Sequence, residues 1–302
     1  MNKEFKIIEI IKKFFKSKFI GDDCAYLELH GKFAFSSDAL NENVHFRLWK
    51  LKNLFFYLGY KSLWVNISDI LSSGSIPEYF LLNLNINNNF KIFQFLKGLK
   101  YAADLYKIKL IGGNTSYSEK ISINIALFGK TIKTFLRNKA KVGEGVFVYK
   151  YLGEAATGLE ILESKSNYDN LSSLEKYFIK RFFIFYIPLP VIYTLKKLNI
   201  KCAIDLSDSL AFCLNLIAKY SKVFIKVDID KFPISKKLII YYQNRYLALK
   251  KALYGGDDYT LLITAPLKYE NILKKLGFLK IGVVKKGLGT NLKNFSYEHF
   301  KR

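Results

Sequence analysis

The acidic residues of this sequence gather in a few short polar segments. Only 25 of its 302 residues are Asp or Glu, and eight of those 25 lie in six segments that also carry glycines, hydroxyls or asparagines. Carboxylates that are brought together repel one another and take up protons unless cations neutralise them. The segments are GDD at 21–23, SSD at 36–38, NISD at 66–69, GGNT at 112–115, DLSD at 205–208 and GGDD at 255–258.

A divalent cation is the partner that these segments suit best. Mg²⁺ prefers oxygen ligands, usually one or two carboxylates completed by waters and substrate phosphates. None of the six segments contains a Cys or His that would favour a softer metal. Any one segment by itself is typical of an ordinary turn or helix cap, but six in series favour magnesium-assisted phosphate chemistry.

Strands and helices must position these segments. Short apolar runs at 32–35 and 108–111 predict strands that end before SSD and GGNT, and the run at 259–264 predicts a strand after GGDD. An apolar stripe from Leu63 predicts a helix that leaves Asp69 on its polar rim and ends by Gly74. A second helix is expected from Asp205 at its N-cap, with Asp208 one turn further.

The large positive charge has a simpler explanation than nucleic-acid binding. A formal net charge of +23 would suit a surface that neutralises phosphates. The lysines, however, are scattered along the whole chain, in a composition rich in Lys, Asn, Ile, Phe and Tyr that an AT-rich genome produces. We therefore expect no nucleic-acid partner, and a basic nucleic-acid-binding protein is the alternative from another functional class.

Several common motifs are missing from the sequence. It has no G-x-x-x-x-G-K-[ST] loop, no protein-kinase motif set and, among its three cysteines, no C-x-x-C pair. Its amphipathic start does not read as a signal peptide. The most apolar stretch, 182–195, contains two prolines and is too short to span a bilayer. We expect a cytoplasmic protein without a membrane partner.

An ordered series of motifs resembles the thiamine-monophosphate kinase family from end to end. Each motif is weak alone, and their shared order and spacing carry the resemblance. The series is GDDCAYLEL, SSDALNENVHF, GYKSLWVNISDILSSGSIPEYFLLNL, LIGGNTS, VGEGVFVYKYLGEAATGL, CAIDLSDSLAFCLNLI, ALYGGDDYTLLI and NFSYEHF.

This resemblance implies a fold, an activity and a set of partners. The fold is the two-domain, PurM-like α/β (α+β) fold of the aminoimidazole ribonucleotide synthetase superfamily, whose N-terminal domain binds ATP and pairs into a homodimer. We place the domains at 1–140 and 141–302, because KVGEG at 141–145 predicts a turn before a strand. The activity is transfer of the γ-phosphoryl of ATP to thiamine monophosphate, assisted by several Mg²⁺ ions.

The resemblance also assigns site residues, none of them catalytic apart from the metal ligands. Because the nucleophile is an oxygen of the substrate's own phosphate, whose second pKa is near 6, no strong general base is required. The implied ligands of Mg²⁺ are Asp23, Ser36, Ser37, Asp38, Asp69, Asn114, Asp205 and Asp208; ATP would contact Gly113, Asn114, Arg137 and Ser207; and thiamine monophosphate would contact His45, Asp257 and Tyr297.

Four positions depart from the family pattern. Asn114 stands where the family has Asp, Ser209 where it has Gly, and Asp257 and Thr260 where it has Glu. An Asn carbonyl still ligates Mg²⁺ but brings no charge, so one ion should bind more weakly. These departures leave open a binding protein that has lost catalysis, and another ATP-using enzyme of the superfamily is a separate alternative. The five retained aspartates of the implied metal set favour an active enzyme.

Overall fold

A computed structural model describes residues 3–21, 24–165 and 168–293 of the chain. The chain divides into two compact units, one formed by 1–71 with 75–132 and the other by 72–74 with 133–302. The sequence predicts the domain boundary after Ala140, a little later in the chain. Residues 133–140 belong to the second unit. Within it, the N–H of Leu136 donates to the Lys201 carbonyl at 2.9 Å and that of Ala140 to Ser221 Oγ at 3.1 Å.

The first unit is a four-stranded sheet with helices on one face. In the sheet order β1-β4-β2-β3, β2 and β3 are parallel and β4 is antiparallel to both of its neighbours. Alternate residues of β4 are buried against the helices, and Gly59 and Gly98 allow α2 and α3 to cross closely. The elements are α1 (Lys3–Phe15), β1 (Phe33–Asn41), α2 (Leu54–Ser72), β2 (Ser75–Ile86), α3 (Ile92–Tyr106), β3 (Lys109–Tyr117) and β4 (Ser122–Thr131).

The second unit is built on a six-stranded sheet. Its strand order is β10-β7-β9-β5-β8-β6, with antiparallel pairs except for β10 and β7. The elements are β5 (Glu144–Tyr149), α4 (Glu154–Ser164), α5 (Ser173–Phe183), α6 (Leu189–Lys197), β6 (Cys202–Asp205), α7 (Leu210–Ser221), β7 (Phe224–Val227), α8 (Lys236–Tyr242), α9 (Arg245–Tyr254), β8 (Leu261–Pro266), a 3-10 turn (Leu267–Tyr269), α10 (Glu270–Leu276), β9 (Phe278–Lys285) and β10 (Gly289–Thr290).

The predicted mixed α/β class is confirmed, with corrections at three of the polar segments. SSD and GGNT lie inside β1 and β3 rather than after them, because pairing with β4 and β2 continues through both segments. The helix expected from Asp205 begins only at Leu210, since Asp205 is the last residue of β6. In the described ranges, no helix is long and apolar enough to cross a membrane.

Candidate functional site

Two aspartates of the first unit face each other across the junction of β1 and α2. Ser36 Oγ, on β1, donates to Asp69 Oδ2 on α2 at 2.6 Å. The backbone N–H of Asp38 donates to Asn66 Oδ1 at 3.1 Å, and Ser36 Oγ also reaches that oxygen at 3.3 Å. Asn66 is completely buried, so these bonds hold the strand and helix in one register and set the two carboxylates side by side.

The environment of this pair raises the pKa of Asp38 to about 7, through burial first and then through the charge and hydrogen bond of Asp69. A carboxylate that must ionise beside a second carboxylate is stabilised by a bound cation. Oxygen donors from Asp38, Asp69 and Ser36 are the donor chemistry that Mg²⁺ prefers. These residues therefore fit the implied metal.

A larger cluster of metal-binding side chains is absent from the described residues. No group of three or more His, Cys, Asp or Glu side chains arranged to hold a metal occurs in those ranges. Asp23, which the resemblance adds to the metal ligands, lies outside the described residues, as does Tyr297, which the resemblance predicts to contact thiamine monophosphate.

The sheet register separates Asn114 from Asp38. One row of paired residues runs from Asp38 on β1 through β4 and β2 to Gly113 on β3, so Asn114 is in the next row. Adjacent rows point to opposite faces, and three strand spacings separate the two outer strands by roughly 14 Å. A single chain therefore does not bring Asn114 to the ion that Asp38 and Asp69 would hold. Ser37 shares the face of Asn114 for the same reason.

Gly113 is a position where only glycine fits. Its φ is +148°, and a Cβ there would lie 1.8 Å from the carbonyl oxygen of Leu82 on the neighbouring strand. The close approach of β3 to β2 therefore leaves the Gly113 backbone without a side chain to cover it, which suits a contact with a phosphate or a base.

His45 is locked in one hydrogen-bonding state by a tight turn. Its N–H donates to the Asn41 carbonyl at 2.9 Å, and the N–H of Asn41 donates to His45 Nδ1 at 3.0 Å. Asn43 completes the turn with a φ of 66°. Because Nδ1 accepts a hydrogen bond, the proton of the neutral ring is on Nε2, which is then the nitrogen able to donate to a ligand.

In the second unit, two predicted segments lie side by side. The ladder between β6 and β8 continues past Asp205, with the N–H of Leu206 donating to the Thr260 carbonyl at 2.8 Å. The N–H of Asp257 then donates to the Ser207 carbonyl, also at 2.8 Å. Segments 205–208 and 255–258 are thus joined through main-chain bonds, which places Ser207 and Asp257 next to each other.

Ser209 explains one departure from the family pattern. It is the N-cap of α7, with extended backbone (φ −62°, ψ 149°) and a side chain that accepts from the N–H of Phe212 at 3.2 Å. The helix cap is therefore Ser209 and not Asp205, and Asp208 precedes the helix instead of lying one turn inside it. Such a cap stabilises a helix without any left-handed residue.

Arg137 is exposed on the segment that leads into the second unit. Its carbonyl accepts from Ser221 Oγ at 3.1 Å, at the end of α7, and from Cys202 Sγ at 3.8 Å. The backbone is thereby anchored beside β6 while the guanidinium stays accessible to solvent. This arrangement leaves Arg137 able to bind an anion such as a phosphate.

Sequence reasoning missed one acidic residue of this region. Asp258 is almost completely buried, and burial raises its pKa to about 7, opposed by hydrogen bonds from the backbone of Gly153 and Ala155 and by the charge of Arg181. The sequence does not predict its burial, since nothing in GGDD indicates that one of the two neighbouring aspartates is buried and the other is not. Only their contacts distinguish Asp257 from Asp258.

This chain resembles known proteins both in its first unit and over nearly its full length. Residues 21–131 match the family described as "AIR synthase related protein, N-terminal domain", so the first unit carries the fold of that class. Over the full length, the thiamine-monophosphate kinase of Aquifex aeolicus is 34% identical across 95% of this chain and 92% of its own length. That of Bacillus subtilis is 33% identical across 93% of both chains. This chain belongs to the thiamine-monophosphate kinase family.

Solved structures agree with that membership. The structure named "AaThiL complexed with AMPPCP and TMP" is 33% identical, with a TM-score of 0.80, and the match covers 98% of this chain and 97% of the other. The thiamine-monophosphate kinase of Stenotrophomonas maltophilia is 29% identical, with a TM-score of 0.84 and coverage of 95% and 96%. Hydrogenase maturation protein HypE, at 17% identity and a TM-score of 0.73, shares the fold alone.

Proposed function

We propose that this chain transfers the γ-phosphoryl group of ATP to the phosphate of thiamine monophosphate, giving thiamine diphosphate and ADP. Membership of the family and the likeness to a relative solved with AMPPCP and TMP support this activity. The observation that carries the proposal is the pair of facing aspartates, Asp38 and Asp69, tied together by Ser36 and Asn66. A structural role alone would not require two carboxyl groups in contact.

Magnesium is the cofactor that we assign to this chemistry. Asp38 and Asp69, with Ser36, Ser37 and Asp23, would hold ions in the first unit, Asn114 would contribute to a further ion, and Asp205 and Asp208 would do so in the second unit. When bound, Mg²⁺ would neutralise negative charge on the two polyanionic substrates.

The other residues bind and orient the two substrates. His45 donates from Nε2 to the phosphate of thiamine monophosphate, and Asp257 contacts the same substrate together with Tyr297. Gly113 and Asn114 offer backbone and amide groups to ATP. These contacts bring the acceptor oxygen, which is already ionised near neutral pH, to the phosphorus in line with its leaving group.

Ser207 and Arg137, both in the second unit, complete the proposed ATP contacts. The protein is proposed to act in the cytoplasm, where ATP is available. Its buried cysteines, Cys202 and Cys213, are both free thiols, which is consistent with a reducing compartment.

A homodimer is part of this proposal, and the strand register supports it. Asp38 and Asn114 lie on opposite outer strands of one sheet, yet both are implied ligands. A second copy can bring its own β3 edge to the Asp38 side of the first. The face of the sheet opposite the helices, which Asn114 shares, carries Phe35, which is 66% exposed and packs edge-on against Phe128 at 5.2 Å. An aromatic surface of that kind suits burial against a partner.

Mixed dimers test the shared site. Asp38→Asn and Asn114→Lys variants are expected to be inactive alone, because one loses a ligand and the other places a cation at the metal. If each site combines Asp38 of one subunit with Asn114 of the partner subunit, mixing equal amounts restores about a quarter of wild-type activity, since half of the dimers regain one intact site. A mixture that exchanges subunits and stays inactive would refute the shared site.

The activity itself is tested with purified protein, ATP, thiamine monophosphate and millimolar Mg²⁺. Formation of ADP and thiamine diphosphate in equal amounts is expected, with no turnover when Mg²⁺ is chelated. Binding of ATP without turnover would instead show a binding protein that has lost catalysis. Steeply salt-dependent binding to duplex DNA without turnover would favour the nucleic-acid alternative.

A further inference from the structure

Asp257 and Asp258 are chain neighbours with different surroundings. Asp258 is 5% exposed; its Oδ2 accepts from the Gly153 N–H at 2.8 Å and its Oδ1 from the Ala155 N–H at 3.5 Å. Both donors lie at the start of α4, where a helix has backbone N–H groups without partners in the helix. The Asp258 carboxylate therefore fastens its loop to this helix.

The loop that Asp258 fastens has an unfavourable backbone. Gly256, Asp257 and Tyr259 have φ values of 81°, 62° and 44°. Left-handed conformations cost energy in residues other than glycine and persist when the surrounding structure holds them. A loop with two such residues, one of which is proposed to contact substrate, needs a fixed anchor.

The same loop shapes the neighbouring ATP-binding segment. The N–H of Asp257 donates to the Ser207 carbonyl at 2.8 Å, and that of Tyr259 to the Leu206 carbonyl at 2.7 Å. A side chain at Gly256 would lie 3.3 Å from the Ser207 carbonyl oxygen. A movement of residues 256–259 would therefore displace Ser207 together with Asp257.

A buried ion pair supports the helix end that receives Asp258. Glu154, the first residue of α4, is 5% exposed. Its Oε2 accepts from the Tyr177 hydroxyl at 2.7 Å and from Arg181 Nε at 3.2 Å. The Arg181 guanidinium also lies over the ring of Phe185, 4.2 Å from its centre. These contacts join the first turn of α4 to α5 and fix the N–H groups that hold Asp258.

We propose that Asp258 is a positioning residue for the transfer reaction: by fastening the strained loop 256–259 to the start of α4, it presents Asp257 to thiamine monophosphate and holds Ser207 in place for ATP. This inference rests on the proposed function. It gives the two adjacent aspartates separate roles, with Asp257 contacting the ligand and Asp258 contacting only protein.

A double-mutant cycle tests this role. Asp258→Asn keeps the size of the side chain but turns an amide NH₂ toward a backbone N–H, so the loop loses part of its anchor. We expect the Kd and KM for thiamine monophosphate to rise roughly tenfold or more, since small displacements of binding groups are costly. When Asp257→Asn is already present, Asp258→Asn should raise the Kd and KM less than about twofold. If Asp258 acts through Asp257, its effect is largely lost once Asp257 is changed, so the two effects are not additive.

Ile281→Val is the matched control for stability. Ile281 is buried in β9, and its shortening should lower Tm while leaving the Kd and KM unchanged. If Asp258→Asn raises the Kd equally in both backgrounds, or leaves it unchanged while Tm falls, Asp258 has a structural role only and the proposal is overturned.

Two further measurements keep the outcome decisive. Should Asp258→Asn not fold, Thr260→Val is used in the same cycle, because it removes the 2.7 Å bond from Thr260 Oγ1 to the Tyr149 carbonyl at the end of the same loop. The Kd is measured calorimetrically without ATP and needs no turnover. Absence of turnover in the wild type would therefore refute the proposed activity, whereas an additive cycle would refute only the role of Asp258.

Discussion

Asp38 in the first unit and Asp258 in the second have the same raised pKa, about 7, in opposite surroundings. The carboxylate of Asp69 lies beside Asp38 and opposes the ionisation of Asp38. Around Asp258 lie two backbone N–H groups at a helix start and the positive charge of Arg181, which favour the ionised form and outweigh the opposing charge of Glu154. Burial is the largest cause of the shift in both cases.

A raised pKa alone therefore does not identify a ligand site. What distinguishes the two residues is that Asp258 has a cation and two hydrogen-bond donors beside it, whereas the charge beside Asp38 is that of a second carboxylate. Asp38 is in an environment that a cation would relieve, whereas the protein itself supplies hydrogen-bond partners to Asp258. The first arrangement favours a metal site and the second an anchor.

The largest expected effect is loss of activity when the facing pair is broken. Asp69→Asn should lower kcat/KM by about 10²–10³-fold at saturating Mg²⁺, because it removes a carboxylate that, in the proposed mechanism, would hold the ion beside the transferred charge. Steady-state assays measure this. Asp104→Asn is the control, since Asp104 is an exposed acid that pairs with Lys100 on α3. Equal activity in both variants would show that the pair holds no catalytic ion.

The second prediction concerns stability and pH. The folded-state pKa values of Asp38 and Asp258 lie above the ordinary value of 3.8, so each contributes stability that is fully present below pH 3.8 and lost as pH rises through about 7. As pH rises from 5.5 to 8, each aspartate should lower the free energy of unfolding of the metal-free protein by roughly 1–2 kcal/mol.

Thermal unfolding at the two pH values separates these contributions. Asp38→Asn should remove the contribution of Asp38 to the pH dependence of Tm, and saturating Mg²⁺ should do the same in the wild type. Asp258→Asn should remove the contribution of Asp258 in the absence of Mg²⁺. If Mg²⁺ left the pH dependence of Tm unchanged, the contrast between the two aspartates would not hold.

The third prediction concerns the pH dependence of magnesium affinity. Because Mg²⁺ binds the ionised carboxylate, a proton on Asp38 must leave first, and the apparent affinity should be about tenfold weaker at pH 6 than at pH 8. Calorimetry in buffers with different protonation enthalpies should detect the released proton. Asp38→Asn should abolish that release, whereas Asp258→Asn should preserve it.

The smallest effect is expected at Asn114, where the family has Asp. Asn114→Asp should lower the Mg²⁺ concentration needed for half-maximal activity by a few-fold, because a charged ligand replaces a neutral one. A magnesium titration of the initial rate measures this. An unchanged half-saturation point would argue against Asn114 as a ligand.

Part of the fold and site follows from local patterns. Hydrophobic periodicity predicts the helix that carries Asp69 and the strand that follows GGDD, because side-chain spacing reports directly on local backbone geometry. The extent of β1 and β3 could not be predicted in this way. Ser36, Asn114 and their neighbours are polar, and they are extended only because strands distant in sequence pair with them.

The order of the motifs and the gathering of the few acidic residues into short segments are enough to assign the α/β class and the family. Tertiary structure decided which of those acids face each other and which are satisfied by the protein. It brings Asp38 beside Asp69 and places Asn114 on the outer strand at the opposite edge of the sheet. It also directs the Asp258 side chain toward the backbone N–H groups at the start of α4. The reason is physical: the charge state of a carboxylate depends on groups brought close by folding, and no local pattern contains them.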